Sequence, residues 1–207
     1  MRTFVYVDGF NLYYGALKGT PWKWLDLPAL FARVLQPHHE ILKVKYFTAR
    51  VSGTPADRSK PQRQEVYFRA LRRFRPEVEM YFGHFLSHPV RAPLAQPTGN
   101  VRSATVIRTE EKGSDVNLAV HLLNDGWLDA YDCAVVVSND SDIAEAMRLV
   151  RLHNGKRIGL LTPGAGRTSQ QLKRHADFVR RIRPGALQDS QLPEAVPGTA
   201  IRKPADW

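Results

Sequence analysis

The chain has 207 residues, is 43% hydrophobic and carries a formal net charge of +10. This length suits one α/β domain with a short appendage, and the single cysteine, Cys133, excludes a disulfide framework or a zinc cluster built on cysteines. The N-terminal sequence MRTFVYVDGF reaches Asp8 before a signal-peptide apolar segment could form, and no run has membrane-spanning length. A cytoplasmic protein without a membrane partner is therefore expected.

Acidic residues are concentrated in one part of this basic chain. Nine of the 20 acidic residues lie between Glu110 and Glu145, a stretch whose one basic residue is Lys112, so it carries −8 while the rest carries +18. Two interpretations are open. These acidic residues could form a solvated helix surface, or they could form a cation site within a surface that attracts polyanions.

In chain order, apolar periodicity alternates between strand and helix. It predicts strands at 3–7, 41–48, 78–85, 101–109, 134–137, 157–162 and 177–182, and helices at 11–17, 27–35, 60–74, 115–123, 143–153 and 169–175. Residues 87–99 contain three prolines and are predicted to form a surface loop. Residues 184–207 are predicted to be a flexible, proline-containing basic tail that buries little, which leaves 1–183 as the domain.

This alternation predicts an α/β fold with a mainly parallel sheet covered by helices on both faces. In open sheets of this kind, ligands bind beyond the carboxyl ends of the strands.

Four aspartates fall at strand ends or helix starts. Asp8 follows the first strand, Asp140 and Asp142 follow the buried strand at 134–137, and Asp115 precedes a helix. Asp8 and Gly9 could instead form a turn, and Asp115 and either Asp140 or Asp142 could be helix N-caps. If they instead meet at one edge of the sheet, they would repel one another unless a cation lay between them, and oxygen ligands of this kind favour Mg²⁺ or Mn²⁺.

Three acidic motifs and a closing segment resemble a known family. They are VYVDGFNLYY (Val5–Tyr14), EKGSDVNLAVHLL (Glu111–Leu123), VVVSNDSDIAEAM (Val135–Met147) and SQQLKRHADFV (Ser169–Val179). Together they resemble the NYN domains, a branch of the PIN-like nuclease superfamily, over most of residues 1–182.

The resemblance implies a Rossmann-like, PIN-type three-layer fold and a metal-dependent ribonuclease acting on single-stranded RNA. It implies that Asp8, Asp115 and Asp140 bind Mg²⁺ or Mn²⁺, that Asp142 is a further or outer carboxylate, and that Asn11 orients Asp8 or a water. Asn139 departs from the family, in which glycine is common at this position. A side chain there is expected to narrow the approach to the site or to shift the end of the strand.

Further residues are candidates for binding the RNA. They supply flat rings, cations or phosphate-binding groups and comprise Tyr13, Tyr14, Arg72, Arg73, Lys112, Thr168 and Ser169. The last two end a glycine-rich loop, 162–169, that enters a helix but lacks the Gly-Lys-Ser/Thr of a Walker A loop.

Two other functions remain open. The same fold could serve an RNA-binding or regulatory protein with little catalysis, in which binding survives chelation of the metal. Some members of the family are named hydroxypyridine monooxygenases, but the sequence contains no flavin or dinucleotide fingerprint. PIN-like domains are often half of a dimer, so a homodimer is a further expectation.

Overall fold

A computed structural model describes residues 1–99 and 101–207 and contains one seven-stranded sheet. Its strands are β1 (Arg2–Asp8), β2 (Glu40–Ala49), β3 (Val78–Thr98), β4 (Val101–Lys112), β5 (Cys133–Val137), β6 (Arg157–Thr162) and β7 (Phe178–Arg181). They lie in the order β4-β3-β2-β1-β5-β6-β7, and every neighbouring pair except β3 and β4 is parallel. The predicted α/β class and mainly parallel sheet are confirmed.

Helices cover both faces of this sheet. They are α1 (Gly9–Leu12), α2 (Leu27–Val34), α3 (Lys60–Phe74), α4 (Ser114–Trp127), α5 (Ala144–Asn154), α6 (Gln170–Arg174) and α7 (Pro184–Gln188). A π-helical turn, Tyr13–Leu17, continues α1, and a 3₁₀ turn, Ser141–Ile143, leads into α5.

The alternation of side chains along β1 separates the two cores. Val5 and Val7 are fully buried in a core that includes residues of α2 and α3, whereas Tyr6 is fully buried in a second core with residues of α4 and α5. Because successive strand residues point to opposite faces, this apolar run can fill both cores. The result is the expected three-layer arrangement.

The prediction of a surface loop at residues 87–99 is wrong. Residues up to Thr98 continue β3, which forms a long antiparallel hairpin with β4, including the pairs Pro89–Ile107 and Pro93–Ser103. Beyond Gly83, β3 no longer pairs with β2. The three prolines all lie in this part of β3, which has one free edge, and a strand tolerates proline where the backbone position faces an unpaired edge.

The prediction that residues 184–207 bury little is also wrong. Leu187, Leu192 and Val196 are at most 3% exposed and join the first core. Trp24 Nε1 donates to the carbonyl of Pro193 at 3.0 Å. The segment is not basic either, since it holds three acidic residues and two basic ones. Its apolar residues are too widely spaced to form a periodic pattern, so their burial depends on the groove that they fill.

None of the described helices is both long and apolar enough to span a lipid bilayer.

Candidate active site

Asp8 ends β1 and caps α1. Its Oδ1 accepts from the backbone N–H of Asn11 at 2.9 Å, and its Oδ2 accepts from Asn11 Nδ2 at 2.7 Å. Ser138 Oγ donates to the same Oδ2 at 2.8 Å. The side chain is buried, and this burial raises the pKa of Asp8, while the bonds from Asn11 and Ser138 act in the opposite direction. Asn11 therefore contacts both carboxylate oxygens of Asp8.

Asp140 reaches the same region from the neighbouring strand β5. Val7 of β1 pairs with Val137 of β5, which places Ser138 beside Asp8. The backbone N–H of Asp140 donates to Ser138 Oγ at 3.0 Å, so one hydroxyl links the two aspartates. Asp140 Oδ1 also accepts from the backbone N–H of Asp142. Asp142 itself is exposed to solvent.

A third set of acidic groups comes from the junction of β4 and α4. Glu111 accepts from the N–H of Ser114 at 3.1 Å and from its hydroxyl at 2.7 Å, which fixes the carboxylate against the residue that precedes Asp115. Gly83 of β3 makes room for this group, because a Cβ there would lie 2.0 Å from Glu111 Oε1. Gly113 has φ of 101°, a conformation that favours glycine.

These elements bring four carboxylates to one cavity of about 280 Å³. Its walls are Asp8, Phe10, Asn11, Tyr14, Phe85, Glu111, Ser114, Asp115 and Asp140. Burial, together with the negative charges of Asp8, Asp140, Glu111 and Asp142, raises the pKa of Asp115 to about 6. The structure thus places the three predicted ligands together, adds Glu111, and leaves Asp142 outside the cavity wall.

Asn139 ties the glycine-rich loop to this cavity. Its Nδ2 donates to the carbonyl of Arg167 at 3.0 Å, its Oδ1 accepts from the N–H of Ser169 at 2.8 Å, and its own N–H donates to Asn11 Oδ1 at 3.2 Å. Asn139 is absent from the cavity wall. In the described structure, its side chain secures a neighbouring loop instead of narrowing the approach.

The glycine-rich loop packs closely on the π-helical turn after α1. Gly164 has φ of 75°, and a Cβ there would lie 2.0 Å from the carbonyl oxygen of Gly15. Ser169 Oγ caps α6 by accepting from the N–H of Leu172, and Thr168 is part-buried beside it. These contacts give the loop a packing role, and a phosphate contact by Thr168 or Ser169 stays a prediction.

The other predicted binding residues divide between the site and more distant surface. Tyr14 lines the acidic cavity. Tyr13 packs edge-on against the ring of Tyr14, with 5.2 Å between the ring centroids. Lys112 pairs with Glu110 at 2.8 Å and does not line the cavity. Arg72 and Arg73 line a separate groove with Thr199, Ala200 and Ile201. Their contact with RNA remains a prediction without support from proximity to the acidic residues.

Sequence reasoning missed Glu111, Ser114 and Ser138 as site residues. Each lies within, or directly beside, a motif that also holds a predicted aspartate. A glutamate four residues before Asp115 offers a weak signal, because its distance from the site depends on the path of the chain at Gly113. Ser138 was easier to predict, because it is the first polar residue after the apolar run of β5.

A larger cavity of about 690 Å³ adjoins the acidic one and shares Phe10, Tyr14 and Phe85 with it. Within residues 1–99 and 101–207, no group of three or more His, Cys, Asp or Glu side chains forms a ready metal-ligand cluster. The four carboxylates share one cavity wall without closing into such a cluster.

Three matches to known proteins bear on the family and the fold of this chain. The family model of the NYN domain matches residues 2–182, which confirms the resemblance. The chain is 34% identical to the 6-hydroxy-3-succinoylpyridine 3-monooxygenase HspA of Pseudomonas putida, over its whole length and 75% of that protein. It also resembles the crystal structure of a Vibrio parahaemolyticus protein of unknown function, with a TM-score of 0.57, 20% identity, and coverage of 88% of this chain and 93% of the other. This last likeness concerns the fold alone.

Proposed function

The chain belongs to the NYN domain family, and from this membership we propose that it is a metal-dependent ribonuclease that hydrolyses phosphodiester bonds in single-stranded RNA. The observation that carries the proposal is the meeting of Asp8, Glu111, Asp115 and Asp140 at the carboxyl ends of β1 and β5. This is the place where open α/β sheets bind their ligands.

The donor set fits Mg²⁺ or Mn²⁺. All four groups supply oxygen, and the pKa of Asp115 is raised by burial and by neighbouring negative charge, with no cationic side chain among the described residues of the cavity wall. Mg²⁺ usually keeps several waters beside a few carboxylates, so it does not require a closed cluster of protein ligands, and none is present among the described residues. We assign Asp8, Asp115 and Asp140 as the groups that would hold the ion. When bound, such an ion lowers the pKa of water and offsets the negative charge that develops on the phosphodiester.

The protein's own residues then have distinct tasks. Asn11 and Ser138 fix both oxygens of Asp8, and Ser138 also fixes the backbone at Asp140, so the two carboxylates hold their relative position. Glu111 adds charge to the opposite wall, anchored by Ser114. The +18 carried outside the acidic stretch attracts the RNA backbone.

The test is cleavage of end-labelled single-stranded RNA with Mn²⁺, Mg²⁺ or EDTA. Asp8→Asn and Asp140→Asn should each lower cleavage by about 100-fold or more, the upper range for losing a group that merely supports a metal ligand. Glu194→Gln, an exposed residue outside the site, is the control and should cleave like the wild type.

Each outcome of that assay has a defined meaning. Cleavage that persists in both variants would reveal a contaminating nuclease. RNA that binds in EDTA but is never cleaved would instead favour a binding or regulatory protein on this fold.

A second candidate is oxidation of a hydroxypyridine. The relative with that name is 34% identical over the entire chain, and the larger cavity has a volume within the range of about 300–1,000 Å³ that is usual for small-molecule sites. Oxygen uptake that requires both 6-hydroxy-3-succinoylpyridine and an added two-electron donor such as reduced nicotinamide dinucleotide, together with the visible spectrum of the purified protein, would test it. Uptake that survives Asp8→Asn would separate this activity from the acidic site.

A further inference from the structure

The larger cavity has aromatic walls. Phe10, Tyr13, Tyr14, Tyr46, Phe68 and Phe85 all line it. Several of these rings contact one another edge-on, such as Phe10 and Phe85 with 5.9 Å between centroids. In an edge-on pair, the ring that presents its edge keeps both of its faces clear of its partner, and aromatic faces bind nucleobases with little regard to their identity.

The cavity opens beside the four carboxylates. Phe10, Tyr14 and Phe85 line both cavities, and the consecutive residues Asp8 and Gly9 each line one of them. A ligand that fills the aromatic cavity therefore ends next to the acidic groups. This arrangement makes the aromatic cavity a neighbouring subsite of the candidate active site.

Three cationic side chains line the aromatic cavity, namely Lys23, Lys60 and Arg63. Lys23 and Lys60 have no carboxylate partner within 4.0 Å in the described part of the chain. Arg63 also lines the cavity, but it bonds to Asp57 and Asp206 at 2.5 Å and 2.9 Å. The lysines are thus the cations available to a ligand, and they favour one that carries an anionic group.

We propose that this cavity binds one nucleotide of the RNA adjacent to the cleaved phosphodiester, with its base among the aromatic rings and a phosphate at Lys23 and Lys60. The assignment rests on the proposed ribonuclease function, because an RNA substrate would supply the flat, anionic ligand. Tyr14, which is 61% exposed, forms the part of the wall common to both cavities.

The experiment measures binding of adenosine 5′-monophosphate in EDTA by calorimetry, so that neither metal nor cleavage is needed. Tyr14→Ala should weaken binding about 30-fold, the middle of the range for losing one stacking ring, while Tyr14→Phe keeps the ring and should bind as the wild type does. Lys60→Ala should weaken binding severalfold and reduce its salt dependence. Lys173→Ala, an exposed lysine that lines neither cavity, is the matched control.

This experiment tests nucleotide binding in the aromatic cavity independently of ribonuclease activity. Binding that depends on Tyr14 and Lys60 but persists in Asp140→Asn supports the pocket, even for a protein that cleaves no RNA. Absent binding, or equal binding in all variants, overturns the pocket even if RNA is cleaved. Binding of 6-hydroxynicotinate without binding of adenosine 5′-monophosphate also overturns it and assigns the cavity to the second candidate function. Circular dichroism of each variant checks that it is folded.

Discussion

Asp115→Asn should stabilise the protein at neutral pH while it impairs the candidate site. Burial and three neighbouring cavity carboxylates raise the pKa of Asp115 from 3.8 to about 6. Its charged form is therefore less favourable in the folded protein than in the unfolded chain. Asparagine removes the charge and keeps the shape.

The size of the effect follows from that pKa. A rise of about two units corresponds to at most about 3 kcal/mol, since one unit is about 1.4 kcal/mol. Asp115 is partly exposed and lies in the first turn of α4, where solvent and the helix dipole both favour the charge. A gain of about 1–2 kcal/mol is expected, or a rise in Tm of roughly 2–8 °C for a chain of this size.

The pH dependence has a definite sign. A raised folded-state pKa gives stability that is present below about pH 4 and is lost as the pH rises to about 6. The variant's advantage should thus be near zero at pH 4, grow between pH 4 and 6, and remain constant above.

Thermal unfolding in EDTA at pH 4 to 8 measures this difference, with Glu194→Gln as the control for loss of an exposed charge. Adding Mn²⁺ should then raise the Tm of the wild type more than that of Asp115→Asn. A variant that is no more stable than the wild type at pH 7.5 would refute the crowding of carboxylates around Asp115.

Three further substitutions test other parts of the structure by urea unfolding. Asn139→Ala should lower the free energy of unfolding by about 1–2 kcal/mol, because it removes two side-chain hydrogen bonds. It should also speed proteolysis within residues 162–169. An unchanged rate of proteolysis would argue against a role of Asn139 in holding this loop. Lys45→Met should cost about 3–5 kcal/mol because it leaves its buried partner Asp125, 2.6 Å away, unpaired, and adding Asp125→Leu should recover part of that loss. Leu192→Ala should cost about 2–4 kcal/mol, whereas a flexible C-terminal segment would give almost none.

The fold was largely predictable because the strands have strong local patterns. The run at 134–137 is apolar throughout and lies in the middle of the sheet, between β1 and β6. The extension of β3 into the hairpin was not predicted, because the three prolines of this segment indicate a loop. Proline lacks the N–H that a strand needs when both of its edges are paired. Here one edge of β3 is free beyond Gly83, a fact that depends on where β2 stops pairing.

The sequence by itself determined the strand-end positions of Asp8 and Asp140 and the helix-start position of Asp115, since apolar runs and helix-capping residues are local signals. Only the tertiary structure decided that Glu111 joins them, that Asn139 fastens a loop, and that an aromatic cavity opens beside the carboxylates. These features unite β1, the β3–β4 hairpin and α3, which lie far apart in the chain. Local patterns specify which way a side chain faces on its own element, whereas the packing of distant elements sets which other side chains it meets.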